Sequence, residues 1–350
     1  MKIAIVDIGS NTTRLLIADV ENGRVTEEYI RRSTVTRLGA GVDASGALNV
    51  DALAREHEAL AHYHATITAA HIPRTVAVMT SAVRDAANGK QLASEIEARY
   101  GFETHILSGE EEGQITYRGA TDNLKEDGRR MVFDIGGGST EFVIGEGTTP
   151  GFHVSTQLGV VRQADRYIRH DPPATEEIKQ LAQDARATIA AAIPLEQRQN
   201  INTAIGVAGT PTALAAIEQQ LEPYDPEKVH GYHMTATAVT EILARLKTMT
   251  LAERQHVIGL HPARANVIVP GAVILKEVMS LFELEAIEVS EHDILRGAAL
   301  TYAGRCARSA GPASPPAIRY VAGPSRGPGS WTNVLFSGAR RLPMLAVDKD

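Results

Sequence analysis

One short pattern occurs twice in this chain and limits what it can fold into. Met131-Val132-Phe133 is an apolar run that leads into Asp134-Ile135-Gly136-Gly137-Gly138-Ser139-Thr140, and Glu141-Phe142-Val143-Ile144-Gly145 leads out. This reads as strand, tight glycine turn, strand. About half a chain earlier, Ile3-Ala4-Ile5-Val6 leads into Asp7-Ile8-Gly9-Ser10-Asn11-Thr12, and Leu15-Leu16-Ile17-Ala18 leads out. An internal echo of this kind implies two similar domains facing each other. Three glycines remove every Cβ from the second turn, so its backbone is free to reach positive φ and to approach a ligand closely. Consecutive N–H groups in such a turn form an anion-binding concavity. Ser139 and Thr140 add donors, and Asp134 offers a carboxylate to a metal or a water. The simplest ligand is a phosphate. A plain hairpin without ligand is the competing reading, and the carboxylate beside three glycines and two hydroxyls disfavours it.

The rest of the chain supports two α/β halves. Residues 51–70 favour helix, Thr75–Thr80 a buried strand, 90–100 a helix and Thr104–Leu107 a strand. Ser108 and Glu111 have capping-box spacing at the start of a helix running to about Leu124. Lys125–Arg130 reads as a polar linker and a candidate hinge. Beyond it come a strand near 152–158, helices at about 175–192, and strand Ala204–Val207. Gly209-Thr210 follows that strand and opens a helix, where amides can hold phosphate; Pro211 removes one donor, and a purely structural turn is an equal alternative to a phosphate contact. Helices near 235–248, 251–259 and 266–282, strand Ala286–Val289 and a helix from Asp293 to about Tyr302 complete the pattern. Residues 1–125 and 126–303 are thus two domains. Residues 304–350 hold six of the sixteen prolines and have neither helical nor strand period, so they are expected to be disordered.

Composition narrows the function. No stretch reaches the roughly 18 uncharged apolar residues of a membrane helix. The early Asp7 argues against a signal peptide, and the lone Cys306 fits a reducing cytoplasm. No Cys/His cluster has zinc spacing. The net charge is −7, yet residues 305–350 carry seven basic and two acidic side chains, so the body is more acidic than the whole. No basic run in the body announces nucleic acid. A polyanionic substrate would need a local, donor-lined cleft. His230, His233 and His261 are expected in exposed loops, and Arg162, Arg166 and Arg169 on roughly one helical face.

Five motifs in order then resemble the exopolyphosphatase and guanosine pentaphosphate phosphohydrolase family. They are Asp7–Thr12, Ser81-Ala82-Val83-Arg84-Asp85, Ser108-Gly109-Glu110-Glu111-Glu112, Asp134–Glu141 and Ala208-Gly209-Thr210. The resemblance covers about residues 1–303 and is nearest to the short, two-domain actinobacterial members. It implies two ribonuclease H-like domains of the actin, Hsp70 and sugar-kinase superfamily flanking a cleft. It implies Glu112 as the carboxylate that activates water, and Arg84 at the phosphate site. Among the three consecutive acids, the residues alone do not say which enters the site. The resemblance further implies Mg²⁺ at Asp7, Asp134 and Glu141. Phosphate oxygens would be held by Gly136, Gly137, Gly138 and Ser139 and by Ser10, Asn11 and Thr12. The expected substrate is inorganic polyphosphate, cut at its terminal phosphoanhydride. Guanosine pentaphosphate is the alternative, and an actin-like or sugar-kinase-like ATP-binding phosphotransferase or sensor the alternative from another class. No nucleic acid or membrane partner is expected. A homodimer stands as an expectation that the residues do not fix.

Overall fold

The computed structural model describes residues 1–122, 124, 128–304 and the backbone of 330–334. Its strands are β1 (Lys2–Ile8), β2 (Thr13–Glu21), β3 (Arg24–Thr34), β4 (Thr75–Met79), β5 (Glu103–Ile106), β6 (Arg129–Ile135), β7 (Thr140–Glu146), β8 (Thr149–Thr156), β9 (Thr203–Val207), β10 (Tyr232–Thr235), β11 (Ala286–Val289) and β12 (Ser330–Val334). They form two six-stranded sheets, ordered β12-β3-β2-β1-β4-β5 and β10-β11-β9-β6-β7-β8. Five strands correspond in each. An antiparallel β1–β2–β3 meander continues through parallel β4 and β5, and β6–β7–β8 continues through parallel β9 and β11. This is the ribonuclease H-like order, repeated.

Both central strands are buried on both faces, which is why they read as unbroken apolar runs. In β1, Ala4, Val6 and Ile8 pack with Leu60, Tyr63 and Ile67 of the helix Val50–Ala69 and with Leu92 and Ile96 of the helix Gly89–Tyr100. Ile3 and Ile5 face the other way. The second sheet is covered on one side by the helices Thr175–Ala192, Gly209–Glu218, Ala236–Leu246 and Ile268–Leu281.

The remaining face of each sheet is covered by a helix from the other half of the chain. The helix Gly109–Ala120 follows β5 but packs on β6, β7 and β8, burying Tyr117 and Ala120 against Val132, Val143 and Ile205. The helix Ile294–Ala303 follows β11 but packs on β1 and β2, burying Ile294, Leu295 and Leu300 beside Ile3, Ile5 and Leu16. Each of the isoleucine and leucine side chains contributes about 2 kcal/mol of burial. The two helices cross with backbone against backbone. A Cβ on Gly297 would lie 1.8 Å from the Ile115 carbonyl oxygen, and one on Gly119 2.0 Å from that of Asp293. This crossed pair forms the layer between the two sheets and fixes how the two glycine turns face each other.

Several expectations change. β10 was not foreseen, and it puts His233 on an edge strand. His261 is half-buried, and its ring accepts from the Ala263 N–H at 3.0 Å. The helix Val160–Tyr167 ends before Arg169, three residues short of the Asp171-Pro172-Pro173 stretch, so the three arginines do not share one helical face. Near the proposed hinge, 125–127 lie outside the described residues, while Arg129 and Arg130 already belong to β6. Most of the tail, Cys306 included, lies outside them too. The expectation of a tail without strand does not hold at β12, whose backbone pairs antiparallel with β3. The exposed hydrogen-bonding edge of such a strand is a template for one more. Among the described residues no helix is long and apolar enough to cross a membrane.

Candidate active site

The two turns are built alike. Ile8 pairs with Thr13 and Asp7 with Arg14; Ile135 pairs with Thr140 and Asp134 with Glu141. In each, the first glycine closes the turn: the Gly9 N–H donates to the Thr12 carbonyl at 3.2 Å, and the Gly136 N–H to the Ser139 carbonyl at 3.0 Å. The expected use of positive φ is corrected, because neither Gly9 nor Gly136, Gly137 or Gly138 adopts a left-handed backbone. What the turns need is room. A Cβ on Gly9 would sit 2.7 Å from the Thr12 oxygen. The Gly138 backbone lies against Gly159, whose own Cβ would meet Gly138 atoms at 2.1–2.3 Å.

The second turn is held from behind by the start of the helix Val160–Tyr167. The Val160 N–H donates to the Gly136 carbonyl at 3.0 Å, and Val161 N–H to that of Gly137 at 2.8 Å. Arg162 Nε donates to the Gly138 carbonyl at 3.0 Å. With these carbonyls engaged at the back and the Gly136 N–H closing the turn, the amides of Gly137 and Ser139 are left for the cavity in front.

That cavity, of about 110 Å³, lies between the sheets. Its walls include Asp7, Ser10, Asn11 and Thr12 from one half and Asp134, Gly136, Gly137, Ser139 and Glu141 from the other, together with Glu112, Gly209 and Thr210. Of the residues expected at the site, only Arg84 and Gly138 stand outside this lining. Gly138 supports the turn from behind. Arg84 is wholly buried and supports Glu112: its Nη1 donates to Glu112 Oε2 at 2.7 Å and to the Leu107 carbonyl at 3.1 Å.

The structure separates the three acids. Glu111 closes the capping box, its Oε2 accepting from the Ser108 N–H at 3.0 Å while its own N–H donates to Ser108 Oγ at 3.1 Å. Glu110 is exposed. Glu112, one residue further around the helix, is 8% exposed and enters the cavity. Gly109 lets the helix start close to β8, since a Cβ there would lie 2.8 Å from Ser155 Cβ. Ser155 Oγ in turn donates to Glu141 Oε1 at 2.7 Å.

Two arginines escaped the sequence reading. Arg14 donates to Asp7 Oδ2 from Nε at 2.9 Å and Nη2 at 2.7 Å, and its Nη1 bonds Asp293. Its signal was in the echo, for Arg14 stands seven residues after Asp7 as Glu141 stands seven after Asp134. Arg264 lies over Gly209 and donates to its carbonyl at 2.7 Å. A Cβ on Gly209 would be 2.4 Å from that guanidinium. Both arginines line the cavity.

The electrostatics show an excess of buried negative charge. Burial first, then the charges of Glu141 and Asp134, hold the Glu112 carboxyl well above the ordinary range, and Arg84 offsets only part of this. Asp134 is likewise well raised by burial and then by Glu141. Burial raises Glu141 against the hydrogen bonds of Ser139 and Ser155, and raises Asp7 against the pull of Arg14. Asp293 goes the other way, because Arg14 and Arg31 outweigh its burial. Asp7 Oδ1 is buried with no hydrogen-bond partner. Such a set of acids favours a cation between them.

Residues 16–300 match the family model described as the Ppx/GppA phosphatase family. Exopolyphosphatase 2 of Mycobacterium tuberculosis is 35% identical over 316 residues, covering 87% of this chain and 99% of that protein. The crystal structure of the Aquifex aeolicus Ppx/GppA family member superposes with a TM-score of 0.75 at 29% identity, over 87% of this chain and 98% of that one. An exopolyphosphatase from Cytophaga hutchinsonii superposes with a TM-score of 0.79 at 26% identity, again over 87% and 98%. The chain belongs to the Ppx/GppA phosphatase family.

Proposed function

We propose that this protein is an exopolyphosphatase that releases the terminal orthophosphate of inorganic polyphosphate. The observation that carries the reading is the convergence of both phosphate turns and Glu112 on one cavity. The likeness to a mycobacterial exopolyphosphatase along nearly its whole length supports the substrate.

The terminal phosphoryl group lies between the turns, its non-reacting oxygens held by amides and hydroxyls of Ser10–Thr12, Gly137 and Ser139. Glu112 accepts a hydrogen bond from a water in line with the bridging oxygen. The water oxygen bonds to phosphorus, the bridging P–O bond breaks, and the shortened chain leaves as an anion. Glu112 takes the water's proton, a task suited to a carboxylate whose proton affinity is raised by burial and by the nearby charge of Glu141. Arg84 holds Glu112 in place from the buried side.

One or two of Asp7, Asp134 and Glu141 would hold Mg²⁺, and the partnerless Asp7 Oδ1 is the observation that supports such a site. Among the described residues no three His, Cys, Asp or Glu side chains converge at metal-ligand spacing. Mg²⁺ commonly takes one or two carboxylates and completes its shell with waters and phosphate oxygens. When bound, it offsets the negative charge that the buried acids and the phosphates bring together.

A second cavity adjoins the first, sharing Arg14, Ala208, Gly209 and Arg264 and adding Arg31, Arg32 and Tyr224. Its arginines suit the further phosphates of a chain. They also suit the 3′ phosphates of guanosine pentaphosphate, the second reading. The test is kcat/KM on polyphosphate of defined length and on guanosine pentaphosphate, each with and without Mg²⁺. The expected result is a preference for polyphosphate that depends on the metal. A strong preference for the nucleotide would overturn the substrate assignment, and full turnover after chelation the metal.

A further inference from the structure

Glu56 is a buried carboxylate that the chemistry above does not use. It stands on the helix Val50–Ala69, is 0% exposed, and accepts from Thr13 Oγ1 at 2.8 and 2.7 Å. Thr13 Oγ1 is 3.1 Å from Thr36 Oγ1. No cation pairs with Glu56 among the described residues; its side-chain partners are these two hydroxyls.

Both partners hold the underside of the first phosphate turn. Thr13 directly follows Thr12 and closes the hairpin opposite Ile8. Its carbonyl accepts from Tyr63 Oη, on the same helix as Glu56, at 2.9 Å. Thr36 precedes Arg37, whose N–H donates to the Asn11 carbonyl at 3.2 Å. Arg55 Nε binds the Thr36 carbonyl at 2.9 Å. One stretch of helix thus grips the turn from behind while the turn's front lines the cavity.

We propose that Glu56 is a positioning residue for phosphate binding, which fixes the turn Gly9–Thr12 through Thr13 and Thr36 and whose charge tunes how tightly that turn holds a polyanion. The inference rests on the reading of that turn as a phosphate site. Burial first, opposed by the two hydroxyls and reinforced by Asp7, pushes the Glu56 carboxyl up to about 7. The groups that face it are Asp7 on β1, Tyr63 on its own helix and Tyr100 on the helix Gly89–Tyr100. Arg14 and Arg32 act on Tyr63. His57, the next residue, turns to Tyr100 and Glu95. Below neutral pH the turn is backed by an uncharged acid. Above it, a buried anion stands behind the turn and repels the phosphoryl group in front.

The experiment compares wild type with Glu56→Gln, which keeps the shape and an acceptor but never ionises, in KM for polyphosphate of defined length between pH 5.5 and 8.5. Using the two proteins together removes the substrate's own titration. The expected result is that the two KM curves meet at low pH and part above neutrality. There the variant binds of order threefold more tightly, the size expected of one unit charge acting across the thickness of a turn. The effect falls on KM more than on kcat. Thr36→Val removes a donor from the ionised form and moves the parting point to higher pH. A second arm needs no substrate: the Tm advantage of Glu56→Gln widens as pH rises through about 7. KM curves that stay parallel across the range, or a Thr36→Val parting point that does not move, would overturn the proposal. Absence of phosphate release by wild type at every pH would instead overturn the exopolyphosphatase reading, and this inference with it.

Discussion

The contact between Gly159 and Gly138 makes a quantitative test of the second turn. Gly159 has φ −108° and ψ 149°, a backbone that alanine adopts freely, so Gly159→Ala adds a methyl group and no backbone strain. That methyl would stand 2.1, 2.2 and 2.3 Å from the carbonyl carbon, Cα and nitrogen of Gly138. Carbon contacts become favourable only near about 3.5 Å, so the two segments must separate by more than about 1 Å. Every clashing atom is backbone, and no side chain can rotate away. Overpacking of this kind costs about 1–3 kcal/mol, which lowers Tm by several degrees and leaves the protein folded. A displacement of about 1 Å at a reacting centre costs about 100-fold in rate. The variant should therefore lose activity far out of proportion to stability. The assay pairs phosphate release from polyphosphate with a thermal melt. Gly304→Ala is the control, because a Cβ there meets nothing within 4 Å. Wild-type turnover by Gly159→Ala, with an unchanged Tm, would refute the argument that the glycine turn is held in register by this contact.

Other perturbations follow from the same geometry. Gly297→Ala places a Cβ 1.8 Å from the Ile115 carbonyl oxygen, so the crossed helices must part. A loss of at least about 3 kcal/mol in urea unfolding is expected. Asp134→Asn should stabilise the substrate-free protein at alkaline pH. The Asp134 carboxyl is raised in the folded state by burial and then by Glu141, so wild type loses stability as pH rises through the folded value. The Tm advantage of the variant should grow as pH rises above the ordinary carboxylate range, and an advantage that shrinks would contradict the sign. Arg84→Met removes the support of Glu112 without touching the cavity wall. It should lower kcat more than it raises KM, as measured by initial rates on polyphosphate.

Much of this site is legible in the sequence because it is local. Asp7-Ile8-Gly9 and Asp134-Ile135-Gly136 announce their hairpins through the residues that make them. Ser108 and Glu111 fix the helix start, and once Glu111 is committed to the cap, helix geometry turns Glu112 elsewhere. What escaped depends on partners far along the chain. Arg14 looks like an ordinary strand residue until Asp293 arrives 279 residues later. The exchange of helices between the sheets is tertiary. Its traces are the glycines Gly113, Gly119 and Gly297 inside helices, where a Cβ would strike the neighbouring element. The glycine turn itself was misread in mechanism. The sequence pattern pointed to unusual φ, whereas the fold uses the missing Cβ for close packing.

The central claim is that Glu112 is the base of a polyphosphate hydrolase, and one measurement tests it most directly. Orthophosphate release from polyphosphate of defined length is followed for wild type and Glu112→Gln at saturating substrate with Mg²⁺. The account predicts steady release by wild type and a fall of about 10²–10⁴-fold in the variant, the usual contribution of a positioned general base. Equal rates from the two proteins would contradict it.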